Sequence, residues 1–295
     1  MSIQVKPELV LLLGASFWGL GWIPLDYFAA RGLSGMPIVF YTYGLLSLLA
    51  LPLLWLQRAA WWPQRGALLA ICICGGWGTA GLVGALSEGD VVRAMLLFYL
   101  APVWGLLGGW LLLGERLTAL RVGALLLAML GIALTLGISH DTFRPLTTAD
   151  WLALSAGLAF ALNNLATRAA DQVPLASKAT VAFVGSALLG GLFCLLQDTP
   201  LPAISTPQWG LIALFGLFWL TAMSAAQYGF SHVEASRAAV LVVVELVVAV
   251  LTAAWLGDRE LGLREWCGGA LVLAAALIAE RPGRESPSSF CEAKP

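Results

Sequence analysis

Glu245 stands halfway along an apolar run, 235–256. An ionised group at that depth of a lipid bilayer costs about 2.5–3.5 kcal/mol on insertion scales for comparable residues. A carboxyl placed there at that cost can carry a proton or meet the ammonium of a substrate. It can equally be held by hydrogen bonds to Ser or Trp of a neighbouring helix, and the sequence leaves these readings level. Aromatic residues form a second set. Trp18 and Trp22 are four apart and share one helical face, and Trp77, Tyr99, Trp104 and Trp219 also lie inside apolar runs. Packing explains any one ring. Together they can wall a cavity that stacks a planar side chain or attracts an ammonium, at about 0.5–2 kcal/mol per cation–π contact.

Amides make the third set: Asn163, Asn164 and Gln227, the last sharing a face with Trp219 and Met223. An amide bonds an ammonium or a carboxylate, or joins two helices as glue. Adjacent Asn163 and Asn164 point about 100° apart, so one of them is expected to face a cavity. The candidate substrate-binding residues are therefore Trp18, Trp22, Trp77, Tyr99, Asn163, Asn164, Trp219, Gln227 and Glu245.

Other chemistries lack their residues. His140 and His232 sit at segment edges, and the five cysteines (Cys72, Cys74, Cys194, Cys267 and Cys291) show no CxxC spacing, so no metal site or disulfide framework is expected. No GxSxG and no deep histidine stands ready for Ser–His catalysis, so no catalytic residue and no enzyme is expected. No P-loop offers nucleotide chemistry, no cofactor is implied, and no Lys or Arg is seen deep in a run to hold phosphate. Asp26 and Asp90 lie nearer run ends, in solvated positions.

The elements that must position these groups follow from composition. Of 295 residues 60% are apolar and 11% charged, and mean hydropathy is +0.86, which leaves too little polar surface to coat a soluble globule. A net charge of −1 gives no basic field for nucleic acid. Lipid permits helices of roughly 20 residues or closed barrels, and the runs are of helix length. They fall near 8–29, 35–56, 66–86, 91–113, 119–138, 150–169, 175–196, 207–229, 235–256 and 263–280. Gly32 to Gly35, Pro63, Pro145, Pro174, Pro200 and Pro202 punctuate the breaks. The first run is read as a retained helix because it exceeds a signal-peptide core and holds Trp18, Trp22, Pro24 and Asp26.

With the N-terminus inside, eleven of the 16 Lys and Arg fall in cytoplasmic segments, and five, Arg31, Arg93, Arg144, Arg259 and Arg264, fall outside. The positive-inside rule then places both termini in the cytoplasm of a multi-pass inner-membrane protein. Trp55, Trp61, Trp62, Trp151, Trp209, Trp255 and Trp266 lie near run ends, where an indole anchors at the interface.

An internal repeat organises the ten runs. Arg93-Ala94-Met95-Leu96-Leu97 and Leu113-Gly114-Glu115-Arg116-Leu117 recur as Arg237-Ala238-Ala239-Val240-Leu241 and Leu256-Gly257-Asp258-Arg259-Glu260; Phe17-Trp18-Gly19 is echoed more weakly by Ala159-Phe160-Ala161. One copy is five helices, and an odd number inverts the second copy in the membrane. The expected layout is a first repeat over 1–138, a linker over 139–149, a second repeat over 150–280, and a disordered cytoplasmic tail over 281–295. Gly76, Ala80 and Gly84, and also Gly105 and Gly109, offer smooth faces for close helix packing.

Phe-Trp-Gly in the first run, Leu-Gly-Glu-Arg-Leu after the fourth and Leu-Gly-Asp-Arg after the ninth resemble the drug/metabolite transporter superfamily in its ten-helix EamA-type branch. The resemblance covers nearly the whole chain, and length and tryptophan content look most similar to YddG-type exporters of aromatic amino acids. It implies an all-α membrane protein whose cavity is formed by helices one, three, four, six, eight and nine. The family often has Glu-Pro in helix nine, whereas Leu246 follows Glu245 here, which puts a kink at that point in doubt; Pro102 keeps the proline of helix four. The expectation is export or exchange of amino acids by alternating access, with lipid and a small molecule as partners and a monomer or homodimer as the active form. The alternatives are a proton-coupled exporter of hydrophobic cations working through Glu245, or a membrane scaffold that transports nothing.

Overall fold

The protein was analysed as a computed structural model, which describes residues 6–138, 145–256 and 261–280. The tail expected over 281–295, most of the expected linker, and the Gly257-Asp258-Arg259-Glu260 echo lie outside the described residues. Those described contain ten long helices, with a short helix at Arg58–Trp61 and a 3-10 turn at Trp62–Gln64 between the second and third: α1 (Pro7–Ala29), α2 (Met36–Leu56), α3 (Arg65–Glu88), α4 (Val91–Leu113), α5 (Ala119–Leu136), α6 (Thr148–Ala169), α7 (Leu175–Leu196), α8 (Thr206–His232), α9 (Ala235–Leu256) and α10 (Leu263–Glu280). Eight helices are long and apolar enough to cross a membrane by length and composition alone. The other two are α6, with Asn163, Asn164 and Arg168, and α10, with Arg264, Glu265 and Glu280. Leucines such as Leu49, Leu111, Leu126, Leu195 and Leu214 are exposed around the outside, as a bundle solvated by hydrocarbon requires.

Local signals begin and end the helices where the sequence places them. Thr147 and Asp150 form a capping box at the start of α6, with the Thr147 N–H donating to Asp150 Oδ2 at 2.7 Å. Gly114, at φ 68°, closes α4 in the left-handed conformation open to glycine. That turn delivers Glu115 to the first turn of α9, where its carboxylate accepts from Ala235 N–H (2.6 Å), Ser236 N–H (3.0 Å) and the Ser236 hydroxyl (2.8 Å). The Gly-Glu of the repeated motif is thus an N-terminal cap supplied by one half to a helix of the other.

The two motif arginines are exchanged in the same way. Arg93 of α4 pairs with Asp150 on the first turn of α6 (3.0 Å), and Arg237 of α9 pairs with Glu8 on the first turn of α1 (3.1 Å). Each half grips the first helix of its counterpart, at opposite faces of the bundle.

Helices α4 and α9 are both interrupted. In α4 the regular ladder stops at Phe98 and resumes at Ala101; in α9 it stops at Leu241 and resumes at Val244. Both gaps tighten to i→i−3 bonds: Leu100 N–H to Leu97 O and Val103 N–H to Leu100 O in one, Val243 N–H to Val240 O and Leu246 N–H to Val243 O in the other. The ladder of α9 is therefore interrupted beside Glu245 although no proline follows it. Its neighbour α1 presses there: a Cβ on Gly19 would lie 2.4 Å from the Glu245 carbonyl oxygen. Tight packing elsewhere also rests on small residues. A Cβ on Gly76 of α3 would meet the Gly185 carbonyl of α7 at 2.5 Å, and one on Gly105 of α4 would meet Ala239 of α9 at 2.8 Å.

At the helix ends Trp55, Trp62, Trp151, Trp209, Trp255 and Trp266 are exposed, while Trp61 turns back to donate to the Leu54 carbonyl at 2.8 Å.

Candidate functional site

A cavity of about 570 Å³ lies among α1, α2, α3, α6, α7 and α8, in the range usual for small-molecule sites. It opens past Asp26, Ser34, Gly35 and Ser87, the face opposite the start of α1, and reaches down to Asn163, Ser186 and Phe230. Its walls are aromatic. Trp18 packs against Phe160 (5.4 Å between ring centroids) and edge-on to Trp219 (6.2 Å), and Tyr43 stacks on Phe183 (5.8 Å). Gly21 lets these rings close up, since a Cβ there would lie 3.1 Å from the Trp219 ring.

Polar groups in this wall are left without partners. Trp18 Nε1, Thr42 Oγ1 and Asn163 Oδ1 are buried with no hydrogen bond, and all three residues line the cavity. An unsatisfied buried donor or acceptor costs about 1–3 kcal/mol; Trp104 Nε1 of α4, which does not line the cavity, is a fourth. The donor of Trp22 is in use, given to Thr252 Oγ1 of α9 at 3.0 Å.

Behind Phe98 and Phe160, which line both spaces, lies a second chamber of about 20 Å³, room for one water-sized group. Tyr99, Asn164 and Glu245 face it, and the Tyr99 hydroxyl donates to Glu245 Oε1 at 3.0 Å. The interruptions of α4 and α9 meet at this chamber, which is bordered by Tyr99, Ala101 and Pro102 on one side and Val242, Val243 and Glu245 on the other.

The sequence candidates thus divide. Trp18, Trp22, Asn163 and Trp219 come together on the large cavity, and Tyr99, Asn164 and Glu245 on the small chamber. Asn163 and Asn164 each face a space, where one was expected to; the 100° between them spans the partition, and Asn163 Nδ2 donates to Asn164 Oδ1 at 3.1 Å. Trp77 lines neither space: its Nε1 donates to Ser155 Oγ at 3.1 Å and its ring lies on Phe193. Gln227 is fully buried and accepts from the Thr167 hydroxyl at 2.9 Å, also away from both linings. Sequence reasoning missed Thr42, Ser186 and Phe160. The signal for Thr42 was a hydroxyl between Tyr41 and Tyr43 in an apolar run; the weak echo of Phe17-Trp18-Gly19 pointed at Phe160.

Toward the face where α1 begins, the large cavity is shut by a polar layer. Lys178, one of the eleven charges counted on the cytoplasmic side, is 2% exposed; its Nζ donates to Thr167 O (3.0 Å) and Ser231 Oγ (2.9 Å), and Arg168 donates to Ser231 O at 2.7 Å. These cations sit at the carboxyl ends of α6 and α8, where the helix dipoles favour them. Arg121 pairs with Glu234 at the same face. In the α6–α7 connection the amides of Gln64 and Gln172 hold the Asp171 carboxyl below the ordinary carboxylate value.

A ten-helix bundle of two interlocked halves, with interrupted helices beside a cavity open to one face, is a construction met in membrane transporters. The profile of the EamA-like transporter family matches residues 5–137 and 147–280, and the chain belongs to that family. It is 26% identical over 219 residues to an uncharacterized transporter of Archaeoglobus fulgidus, covering 74% of this chain and 77% of that one. It is 27% identical over 232 residues to a probable terminal-alkyne amino-acid exporter of Streptantibioticus cattleyicolor, covering 74% and 75%. A solved crystal structure of 18% identity superposes with a TM-score of 0.74 over 93% of this chain and 96% of that one, which shows the shared fold.

Proposed function

We propose that this transporter moves amino acids, aromatic ones among them, out of the cytoplasm across the inner membrane by alternating access. The observation that carries the reading is the unpaired polar set on the aromatic cavity wall. Trp18 Nε1 is a donor suited to a carboxylate, Asn163 Oδ1 an acceptor suited to an ammonium, and the Thr42 hydroxyl serves either. Rings of Trp18, Phe160 and Trp219 offer faces to an apolar or planar side chain. The amino-acid exporter among the relatives supports the same substrate class.

With both termini cytoplasmic, as the positive-inside count argues, the cavity opens outward and the Lys178 and Arg168 layer is the closed inner gate. The i→i−3 turns of α4 and α9 are the hinges about which the halves rock. Export of hydrophobic cations on a shared carboxylate is less supported, because Glu245 lines the chamber behind Phe98 and Phe160 rather than the cavity itself. The test is counterflow in proteoliposomes with labelled aromatic and aliphatic amino acids. Folded protein that exchanges none of the panel ends the proposal.

A further inference from the structure

Helices α1 and α8 leave a groove of about 610 Å³ between them on the outside of the bundle. Nearer the start of α1 they touch, since a Cβ on Gly14 would lie 2.8 Å from the Ala226 nitrogen. The regular ladder of α1 is then interrupted at Gly21, and Pro24 has no N–H to give the Leu20 carbonyl. Beyond that break buried Phe28 and Phe215, with ring centroids 5.3 Å apart, make the floor of the groove, and exposed Leu214 and Leu217 make its rim. We propose that this groove binds one phospholipid, with an acyl chain along the floor and the phosphate on Arg31.

The lining suits hydrocarbon. Apart from Tyr27 and Thr221 its side chains are apolar, and the Thr221 hydroxyl is turned back to the Leu217 carbonyl at 2.9 Å. From Leu211 to Thr221 the groove follows α8 for ~15 Å at the helical rise per residue. That is half of the roughly 30 Å hydrocarbon core, the depth of a single leaflet. The Leu211 end begins two residues after Trp209, an exposed indole at the level where tryptophans meet lipid headgroups. The leaflet concerned is the one on the side of the cavity mouth, whichever way the chain is oriented.

A cation stands at the headgroup level of this slot. The Arg31 guanidinium lies 3.5 Å from the centre of the Tyr27 ring and donates to the Tyr27 carbonyl at 3.0 Å, and Tyr27 lines the groove. Among the described residues no carboxylate pairs with Arg31. Asp26, the nearest acid in sequence, lines the substrate cavity and not the groove. A guanidinium carries five N–H donors, so those left over can hold a phosphate. An apolar slot one leaflet deep with an unneutralised arginine at its headgroup end is complementary to a phospholipid in both parts. Phe215 lines the groove and the substrate cavity alike, so the bound chain backs the cavity wall.

The experiment is native mass spectrometry of the purified full-length protein in detergent, titrated with dioleoyl phosphatidylglycerol and with dioleoylglycerol, which has the same chains and no phosphate. Wild type should retain one phosphatidylglycerol and prefer it at least about tenfold, the weight of one hydrogen bond to a charged group. Arg31→Gln should erase the preference and leave the weaker binding of both lipids. Leu214→Trp fills the groove and should abolish both, with Leu217→Trp as the substitute if the first variant does not unfold cooperatively. Leu195→Trp, on the exposed surface of α7, should change nothing. Equal retention by the groove variants and Leu195→Trp, or a preference that survives Arg31→Gln, overturns the proposal. So does displacement of the lipid by phenylalanine, which would make the groove a substrate path, or a Leu214→Cys disulfide dimer in native membranes that the parent lacks, which would put a second copy there.

Discussion

Replacing Trp18 by Phe keeps an aromatic ring on the wall but removes the indole N–H, which is buried with no hydrogen-bond partner, together with part of the ring. Its effects on stability and on binding should have opposite signs. In the unliganded protein the substitution removes an unsatisfied buried donor, relieving a cost of about 1–3 kcal/mol, against which the smaller ring loses some contact with Phe160 and Trp219. Thermal unfolding in detergent should therefore be unchanged or raised. On the proposed reading the same N–H meets the carboxylate of a bound amino acid, and a hydrogen bond to a charged group is worth about 1.5–3 kcal/mol. Its loss should weaken binding about 10- to 150-fold, at about 1.4 kcal/mol per factor of ten. The assay is competition for phenylalanine counterflow by phenylalanine itself and by phenethylamine, which lacks the carboxylate. Phenylalanine should lose affinity and phenethylamine should not. An equal loss for both competitors, or a fall in stability as large as the loss of binding, would refute the pairing of Trp18 with a carboxylate.

Three further outcomes are expected. Glu115→Ala removes all three bonds accepted from the start of α9 and should cost about 2–4 kcal/mol of stability, with Glu115→Gln keeping part of it; unfolding in detergent measures both. Arg93→Gln should destabilise by about 2–4 kcal/mol, less than the usual figure for a broken buried pair because Thr147 still donates to Asp150, and adding Asp150→Asn should recover part of the loss in a double-mutant cycle. Ser87→Cys at the cavity mouth should be modified by an impermeant thiol reagent applied outside intact cells; modification only after the cells are broken would reverse the proposed orientation.

The ten helices and most of their ends could be read directly, because hydrocarbon leaves a chain few options and Pro, Gly, Thr147 and Asp150 mark the boundaries chemically. The break in α9 was hidden. No proline announces it, and the crowding by Gly19 at the Glu245 carbonyl comes from a helix more than 200 residues away in sequence. Within the site, residue type picked out Trp18, Trp77 and Trp219 alike, since periodicity gives the face of a helix and not what lies against it. Trp18 and Trp219 meet a cavity, whereas Trp77 meets Ser155 and Phe193. The burial of Lys178 was hidden for a related reason: its backbone is near a helix end, but its long side chain runs inward to the ends of α6 and α8.

The exchanged ion pairs set a timetable for synthesis. Glu8 emerges from the ribosome 229 residues ahead of the arginine that will hold it, on the order of ten to fifty seconds at ordinary elongation rates of ~5–20 residues per second. Through that interval the first turn of α1 must wait at the membrane surface, with its acid still hydrated. The wait ends when α9 arrives. The nascent protein therefore cannot complete its first half before it has nearly finished its second, and a chain truncated after α8 would reach the membrane with its earliest helix still unclasped.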